Sequence, residues 1–489
     1  MFLLAFDVGT SSLKATLLTE EGSVINSSSV AYSTYEDTTG VSEQNTDLWW
    51  HAVCATSKKL AIQNSAEFNE IAGIGVSGHM LGCVSVGYDG SALSPAMIHS
   101  DKRSFQAFQK IDKTIGKEIM FYKTGNILDA RSSLSKVLWI KENRPEQYKN
   151  TAKFMQSKDF IVFRLTGQMD TTDYSDASHA QWMDVNKREY LFDIFQDLQI
   201  DKDKFPTLRK GIDIVGEVSL SAAQATGLKQ GIPVIAGGGD GACANIAAGL
   251  QSRDIYCSLG TTAWISQNSD EPTFDQQQRL FNISSLDGLH TNVYGTVQNA
   301  GKAIEWALGA FQYATPQDLD KAAVTVAAGS DGLLFLPYLD GERSPVFDTN
   351  AKGVFLNIGS VHKSQHFARS VIEGTSFALN SILEIFRSGS EIRNMRLIGG
   401  GGRSQLWLQI LADVMDIKLE TLSIPSGDAT SIGAGLAAGV GIGLYKDLKD
   451  ATSRIKISHT TEQQHENRAI YEEQFIKYQQ IYAAVKSLF

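Results

Sequence analysis

Two carboxylates in this chain of 489 residues stand where phosphate chemistry would need them. Asp7 ends an apolar run at 2–6 and heads a turn of small residues, Val8, Gly9, Thr10, Ser11 and Ser12. Gly9 permits close approach of backbone, and the hydroxyls of Thr10, Ser11 and Ser12 can donate to phosphate oxygens. A similar unit recurs in the second half as Ser258, Leu259, Gly260, Thr261 and Thr262, with Ser258 in the place of Asp7. Two such turns suit two lobes that grip a polyphosphate from opposite sides, and the one carboxylate between them suffices to hold a metal. Alone, the Asp7 turn could be a plain capped β-turn. Its second copy favours the phosphate role.

Asp240 follows the apolar run 232–236 through Gly237, Gly238 and Gly239, so no side chain just ahead of it crowds its surroundings. A carboxylate placed so can reach a bound hydroxyl, and phosphoryl transfer to an alcohol needs a base that accepts the hydroxyl proton. The competing role is a helix N-cap, because 242–250 reads as helical. A third glycine run, Gly399, Gly400, Gly401 and Gly402, follows a strand at 395–398 and precedes Arg403, Ser404 and an amphipathic run at 406–415. Bare backbone there would let a nucleotide's base and ribose slide past. A linker is the other meaning of such a run, and the preceding strand speaks against it. His79 and Met80 follow a strand at 71–76, and Asp101 with Arg103 follow one ending near residue 98. Pockets of open α/β sheets form at such ends, so these four could line a small polar ligand.

Alternating strand and helix signals in both halves predict an α/β protein. The first hairpin turns near Glu21 and Gly22, and a helix is expected over 49–62. A second hairpin is expected from 83–86 and 92–98 around Tyr88, Asp89 and Gly90, and mainly helix from 130 to 200. The domain junction is placed near residue 246. The second half repeats the scheme with a hairpin at 255–265, helices at 299–311 and 363–388, and the segment 333–345 between them. Residues 431–438, mostly small apart from Ile432 and Leu436, read as a helix packed very closely on a neighbour. Tyr471, Phe475, Tyr478, Tyr482 and Val485 recur at helical spacing, which predicts a packing stripe.

Composition bounds the possibilities. Hydrophobic residues at 43% and charged residues at 20% are the balance of a globular protein. A net charge of -10 argues against nucleic acid or an anionic membrane as partner. Cys54, Cys83, Cys243 and Cys257 stand singly, without the spacing of a zinc site or disulfide framework, so free thiols in a reducing cytoplasm are expected. The run at 2–6 is too short for a signal peptide, and 232–250 contains Asp240 and several glycines. Neither is expected to cross a membrane.

The ordered set of motifs resembles the FGGY carbohydrate kinases. It comprises Asp-x-Gly-Thr from Asp7, Gly-Gly-Gly-Asp ending at Asp240, Ser-Leu-Gly-Thr from Ser258, Pro-Tyr-Leu-x-Gly-Glu-Arg at 337–343 and the late glycine run. One family signature is traced by Ser133, Lys136, Val137, Trp139, Ile140, Glu142 and Asn143, with Arg131 off-pattern at its start. The other runs over 353–373, with Asn357 in place of a usual glycine. Glu43 and Gln44 ahead of Trp49 and Trp50 are most similar to the family's xylulokinases. The resemblance implies a two-lobed actin, hexokinase and Hsp70-like ATPase fold, two ribonuclease H-like domains around a cleft. The first, 1–246, would bind sugar and phosphate, and the second, 247–489, the nucleotide.

By the same resemblance, Asp240 is the catalytic base and Asp7 holds Mg²⁺. ATP would meet Thr10, Ser11, Ser12, Lys14, Gly260, Thr261, Thr262, Gly400, Gly401, Gly402 and Arg403. The sugar would meet His79, Met80, Asp101, Arg103, Asp240 and Gly241. Three pocket stretches depart from the xylulokinase pattern. His79, Met80, Leu81 stand for Gln-Met-His, residues 99–103 read His-Ser-Asp-Lys-Arg for Trp-Asn-Asp-x-Arg, and Asp240, Gly241 stand for Asp-Asn. Asp followed by Gly is similar to the family's gluconate kinases, whose Ala-Met-His is missing. A lost polar partner for a buried hydroxyl changes selectivity by orders of magnitude. The expected function is an ATP-dependent kinase for the terminal hydroxyl of a small sugar, a ketopentose such as xylulose first. Alternatives are another ketose, a polyol, a sugar acid such as gluconate, or an ATP-gated binding protein of the same superfamily. A homodimer is left open.

Overall fold

In the computed structural model, which describes residues 1–249, 253–389, 391–425 and 427–489, the opening apolar run becomes the strand Phe2–Val8. Its residues are covered on both faces, as an unbroken apolar run requires of a central strand. It pairs antiparallel with Ser12–Thr19 and parallel with Ile71–Gly78. Val24–Ala31 extends one side and Pro233–Ile235 the other. The second half repeats this order. Ile255–Leu259 pairs antiparallel with Ala263–Ser269 and parallel with Asn394–Ile398, flanked by Thr291–Val297 and Lys418–Leu422. Each sheet core therefore runs third, second, first, fourth, fifth strand, and both phosphate-type turns sit in the same hairpin of that order.

The first helix is longer than expected, Thr46–Gln63, because the Asn45 side chain accepts from Asp47 N and opens it earlier. Two expectations need correction. Val84–Gly87 does fold back on 92–97 through isolated bridges, but its strand partner is Thr151–Met155. That strand interrupts the stretch expected to be mainly helical, between the helices Ser133–Asn143 and Ser157–Thr166. Five residues whose partner lies far off in the chain carry too little local periodicity to declare themselves.

Two helices cross between the sheets. Asp240–Ala247 continues from the first sheet, yet Ala244 packs with Tyr256 and Ile398 of the second. Ala429–Gly441 comes from the second half and packs its Ala434 and Leu436 with Leu3, Ala5 and Leu18 of the first. The crossing is close enough to exclude side chains. A Cβ on Gly433 would lie 1.8 Å from the Cys243 carbonyl oxygen, and one on Gly75 2.0 Å from that of Ala434. This is the neighbour that the small residues at 431–438 predicted. Each buried Leu or Ile there adds about 1.5–3 kcal/mol.

The C-terminal helix His465–Val485 buries Tyr471 and Tyr478 in the second core, as the stripe predicted. The thiols are free, with Cys83, Cys243 and Cys257 buried and Cys54 half-buried. Among the described residues no helix is long and apolar enough to cross a membrane.

Candidate active site

Three parallel strand ends line up at one edge of the first sheet. Asp7 stands opposite Ser77, and Ser77 opposite Gly238. With strands about 4.8 Å apart, Asp7 lies about 10 Å from Gly238 along this row, and Asp240 follows two residues on. Glycines serve here because nothing else fits. A Cβ on Gly237 would meet the Val76 carbonyl oxygen at 2.0 Å, and Gly237 has a positive φ of 72°. The helix Asp240–Ala247 has Gly239 at its cap position, so Asp240 is the first helical residue and not the cap. Its Oδ1 accepts from Gly241 N at 2.7 Å.

Burial, and behind it the charge of Asp7, push the Asp240 carboxyl up to about 7. A carboxylate poised there can take a proton near neutral pH. Asp7 is also raised, by burial first, with the hydrogen bond from Thr430 and the charge of Lys14 working against it. Thr430 Oγ1 donates to Asp7 Oδ2 at 2.5 Å. The ammonium of Lys14 donates to Asp428 Oδ1 at 2.8 Å and to the Gly427 carbonyl at 2.7 Å. Its charge is matched by Asp428, so Lys14 is half of an ion pair.

The first turn is braced from behind. Gly9 N donates to the Ser12 carbonyl at 3.0 Å, and Gln44 Nε2 donates to the Thr10 carbonyl at 2.6 Å. Thr10 and Ser11 stay exposed and Ser12 half-buried. The second turn rests on the helix Gly301–Ala310, with Gly301 N donating to the Gly260 carbonyl at 2.9 Å and Lys302 N to that of Thr261 at 3.0 Å. Thr261 is exposed and Thr262 half-buried. The late glycine run lies beside this turn. A Cβ on Gly401 would meet Leu259 Cγ at 2.4 Å. Gly400–Arg403 forms a 3₁₀ turn, after which Ser404 caps the helix Gln405–Met415 by accepting from Trp407 N at 3.0 Å. The structure thus gathers Gly260, Thr261, Thr262, Gly400, Gly401 and Gly402, with exposed Arg403 at the rim.

His79 continues the strand Ile71–Gly78, its N donating to the Val8 carbonyl at 2.9 Å and its carbonyl accepting from Ser157 Oγ at 2.8 Å. Its ring is 3% exposed, packs edge-on to Trp49 at 5.4 Å, and neither ring nitrogen has a protein partner. Burial, with His99 and Lys136 beside it, holds the imidazole down at about 3, so it is neutral. A neutral imidazole offers one donor and one acceptor. Met80 lies against the turn before Asp240, where a Cβ on Gly239 would be 2.4 Å from its Cε. Gly241 leaves room for Tyr294, whose hydroxyl would stand 3.3 Å from a Cβ there.

Asp101 and Arg103 are spent largely on each other. Arg103 Nη2 donates to Asp101 Oδ2 at 2.7 Å and to Glu43 Oε1 at 2.5 Å, while Asp101 Oδ2 also accepts from Ser42 N at 2.9 Å. The pair has little free hydrogen-bonding capacity left.

Sequence reasoning missed Thr430, Lys136 and Arg343 as parts of this region. Lys136 is fully enclosed and donates to the carbonyls of Leu81 and Arg131. Burial lowers it to about 8. Arg343 is held below its usual range by burial and by Arg131. The signals were present, since Lys136 and Arg343 fall inside named motifs and Thr430 opens the small-residue helix. What they touch was not legible.

Comparison with known proteins places the chain in a family. Family models of the FGGY carbohydrate kinases match over residues 2–247 (N-terminal domain) and 255–442 (C-terminal domain). The chain is 30% identical to the xylulose kinase of Bacillus subtilis (strain 168), over 100% of this chain and 98% of that protein. The gluconokinase of the same organism is 27% identical over 86% of this chain and 83% of its own length. Among solved structures, ligand-bound xylulose kinase from Lactobacillus acidophilus superposes with a TM-score of 0.93 at 25% identity, covering 99% of this chain and 98% of that one. The likeness shows the actin and hexokinase-like ATPase fold. Two family models side by side along the chain and a relative 30% identical over its whole length establish that it belongs to the FGGY family of carbohydrate kinases, which use ATP to phosphorylate sugars.

Proposed function

We propose that this chain is an ATP-dependent kinase for the terminal hydroxyl of a small open-chain ketose, with xylulose the first candidate. The relatives named xylulose kinase support the acceptor, and the Asp240 carboxyl carries the chemistry, half-buried at the start of its helix, near enough to feel the Asp7 charge and pushed up to about 7. Residues 1–246 form the sugar and phosphate lobe and 247–489 the nucleotide lobe. Asp240 Oδ accepts the hydroxyl proton as the oxygen attacks the γ-phosphorus, whose bond to the β–γ bridging oxygen breaks so that ADP leaves. Hydroxyls and amides of Thr10, Ser11, Ser12, Gly260, Thr261 and Thr262 hold the phosphates, and Gly400, Gly401, Gly402 and Arg403 border the adenosine. Closure aligns the reactants and shuts out water, the competing acceptor.

Mg²⁺ suits the residues present. Asp7 offers a hard oxygen ligand, and the neighbouring Asp240 charge is a repulsion that a cation relieves. Held at Asp7 with Lys14 and Asp428 behind it, the ion would supply charge neutralisation to the phosphates. His79 meets a sugar hydroxyl with either ring nitrogen, Met80 and Gly241 shape the wall, and the Asp101–Arg103 pair fixes the far side. The absence of close cysteine pairing and the acidic charge support a cytoplasmic enzyme without nucleic-acid or membrane partners.

The test is ADP release over a panel of pentuloses, hexuloses, tetruloses, polyols and sugar acids, with and without Asp240→Asn. Sugar-dependent turnover of a ketose that is lost in the variant is expected. Preference for an aldonic acid overturns the ketose reading, near-normal turnover by the variant overturns the base, and sugar-independent hydrolysis points to an ATP-gated switch.

A further inference from the structure

Beneath the turn that delivers Asp240 lies a polar cluster that the chemistry above does not use. Lys158, in the first turn of the helix Ser157–Thr166, is fully enclosed and bonded to Asp159. Its Nζ is 3.1 Å from Asp173 Oδ1 and 3.3 Å from Asp176 Oδ2. Asp173, 0% exposed, turns its other oxygen to Ser175, accepting from its N at 2.7 Å and its Oγ at 2.5 Å. With that proton committed, the Ser175 hydroxyl presents a lone pair to Gly239 N, which donates at 3.0 Å. Gly239 is the residue immediately before Asp240.

The Gly238–Gly239 segment has no side chain of its own to key it in place, and none could be added. A Cβ on Gly238 would meet Leu286 Cδ1 at 2.6 Å, and one on Gly239 would meet Met80 at 2.4 Å. Its backbone must therefore supply the handle. One side pairs with Ser77 and Gly78, and Ser175 takes the Gly239 amide. A serine polarised by a lysine-paired carboxylate is a stronger and more directional acceptor than a free hydroxyl.

We infer that Ser175 is a positioning residue for Asp240, held by Asp173 and Lys158, and that it fixes the point from which the carboxylate reaches the acceptor hydroxyl. The inference rests on Asp240 being the base. Misplacement by about 1 Å costs on the order of 10²-fold in rate while leaving binding surfaces intact. Ser175→Ala is expected to lower kcat with xylulose, or with the best acceptor of the panel, by on the order of 10²-fold. KM for sugar and ATP should stay within about threefold, with the melting temperature lowered by only a few degrees for the buried hydrogen bonds lost. Ser175→Thr, which keeps the hydroxyl, should recover most of kcat. An unchanged kcat in Ser175→Ala overturns the inference. So does a loss of ATP affinity and melting temperature together, which would make Ser175 a prop for the lobe, and so does a folded Thr variant as slow as Ala. Asp240→Asn measured alongside separates the two ideas. If it stays active, the base reading fails; if it is dead while Ser175→Ala is normal, only the positioning fails.

Discussion

Asp240 should make the protein less stable in exchange for its chemistry, and the amount can be worked out. Its carboxyl is pushed from an ordinary value near 3.8 to about 7, by burial first and Asp7 second. The folded-state value lies above the unfolded one, so between those limits the folded state holds the proton that the unfolded state has lost. Stability then falls as pH rises through that window, and the full penalty stands above pH 7. About three units at 1.36 kcal/mol each give about 4 kcal/mol as the upper limit. Asp240 is only half-buried, so water screens part of the charge and about 2 kcal/mol is expected. Asp240→Asn keeps the shape and removes the charge. It should raise the unfolding midpoint by several degrees at pH 8, and by less than half as much at pH 5, where most of the penalty has gone. Thermal unfolding of both proteins at the two pH values is the assay. A variant no more stable than the parent at pH 8, or a gain independent of pH, refutes the reasoning.

The same carboxyl predicts that kcat/KM falls about tenfold per unit below about pH 7 and is level above it, since a base works only when ionised; a flat profile down to pH 5.5 counts against it. Thr430→Val, which keeps the shape but removes the donor to Asp7 Oδ2, should raise KM for MgATP on the order of tenfold with little change in melting temperature. An unchanged KM would show that Thr430 does not tune Asp7. Gly433→Ala drives a methyl against the Cys243 carbonyl 1.8 Å away, so the crossing helices must part. A loss of about 3 kcal/mol or more, or loss of soluble protein, is expected. A parent-like melting curve would refute it.

The local chemistry was legible in residue order. The runs at 2–6, 71–76 and 255–257 are apolar without alternation, as strands covered on both faces must be, and they are closed by Asp7, Ser77 and Ser258. That pattern located the phosphate-type turns, Asp240 and the late glycine run, and the small residues at 431–438 announced a close crossing. The strand Thr151–Met155 was not legible, because its partner lies some 65 residues earlier and five residues are too few to show a period.

What the sequence by itself determined is the set of turns and the carboxylates at their mouths, because glycine, hydroxyl and carboxyl groups at short spacing act through local backbone geometry. Only the tertiary structure decided what each charge does. It spent Lys14 on Asp428 and Arg103 on Asp101, left both nitrogens of His79 without a protein partner, and brought Thr430 across the crossing helices to Asp7. It also set Asp240 beside Asp7 and raised it to about 7. Ionisation depends on burial and on charges from distant parts of the chain, and no local pattern of residues records either.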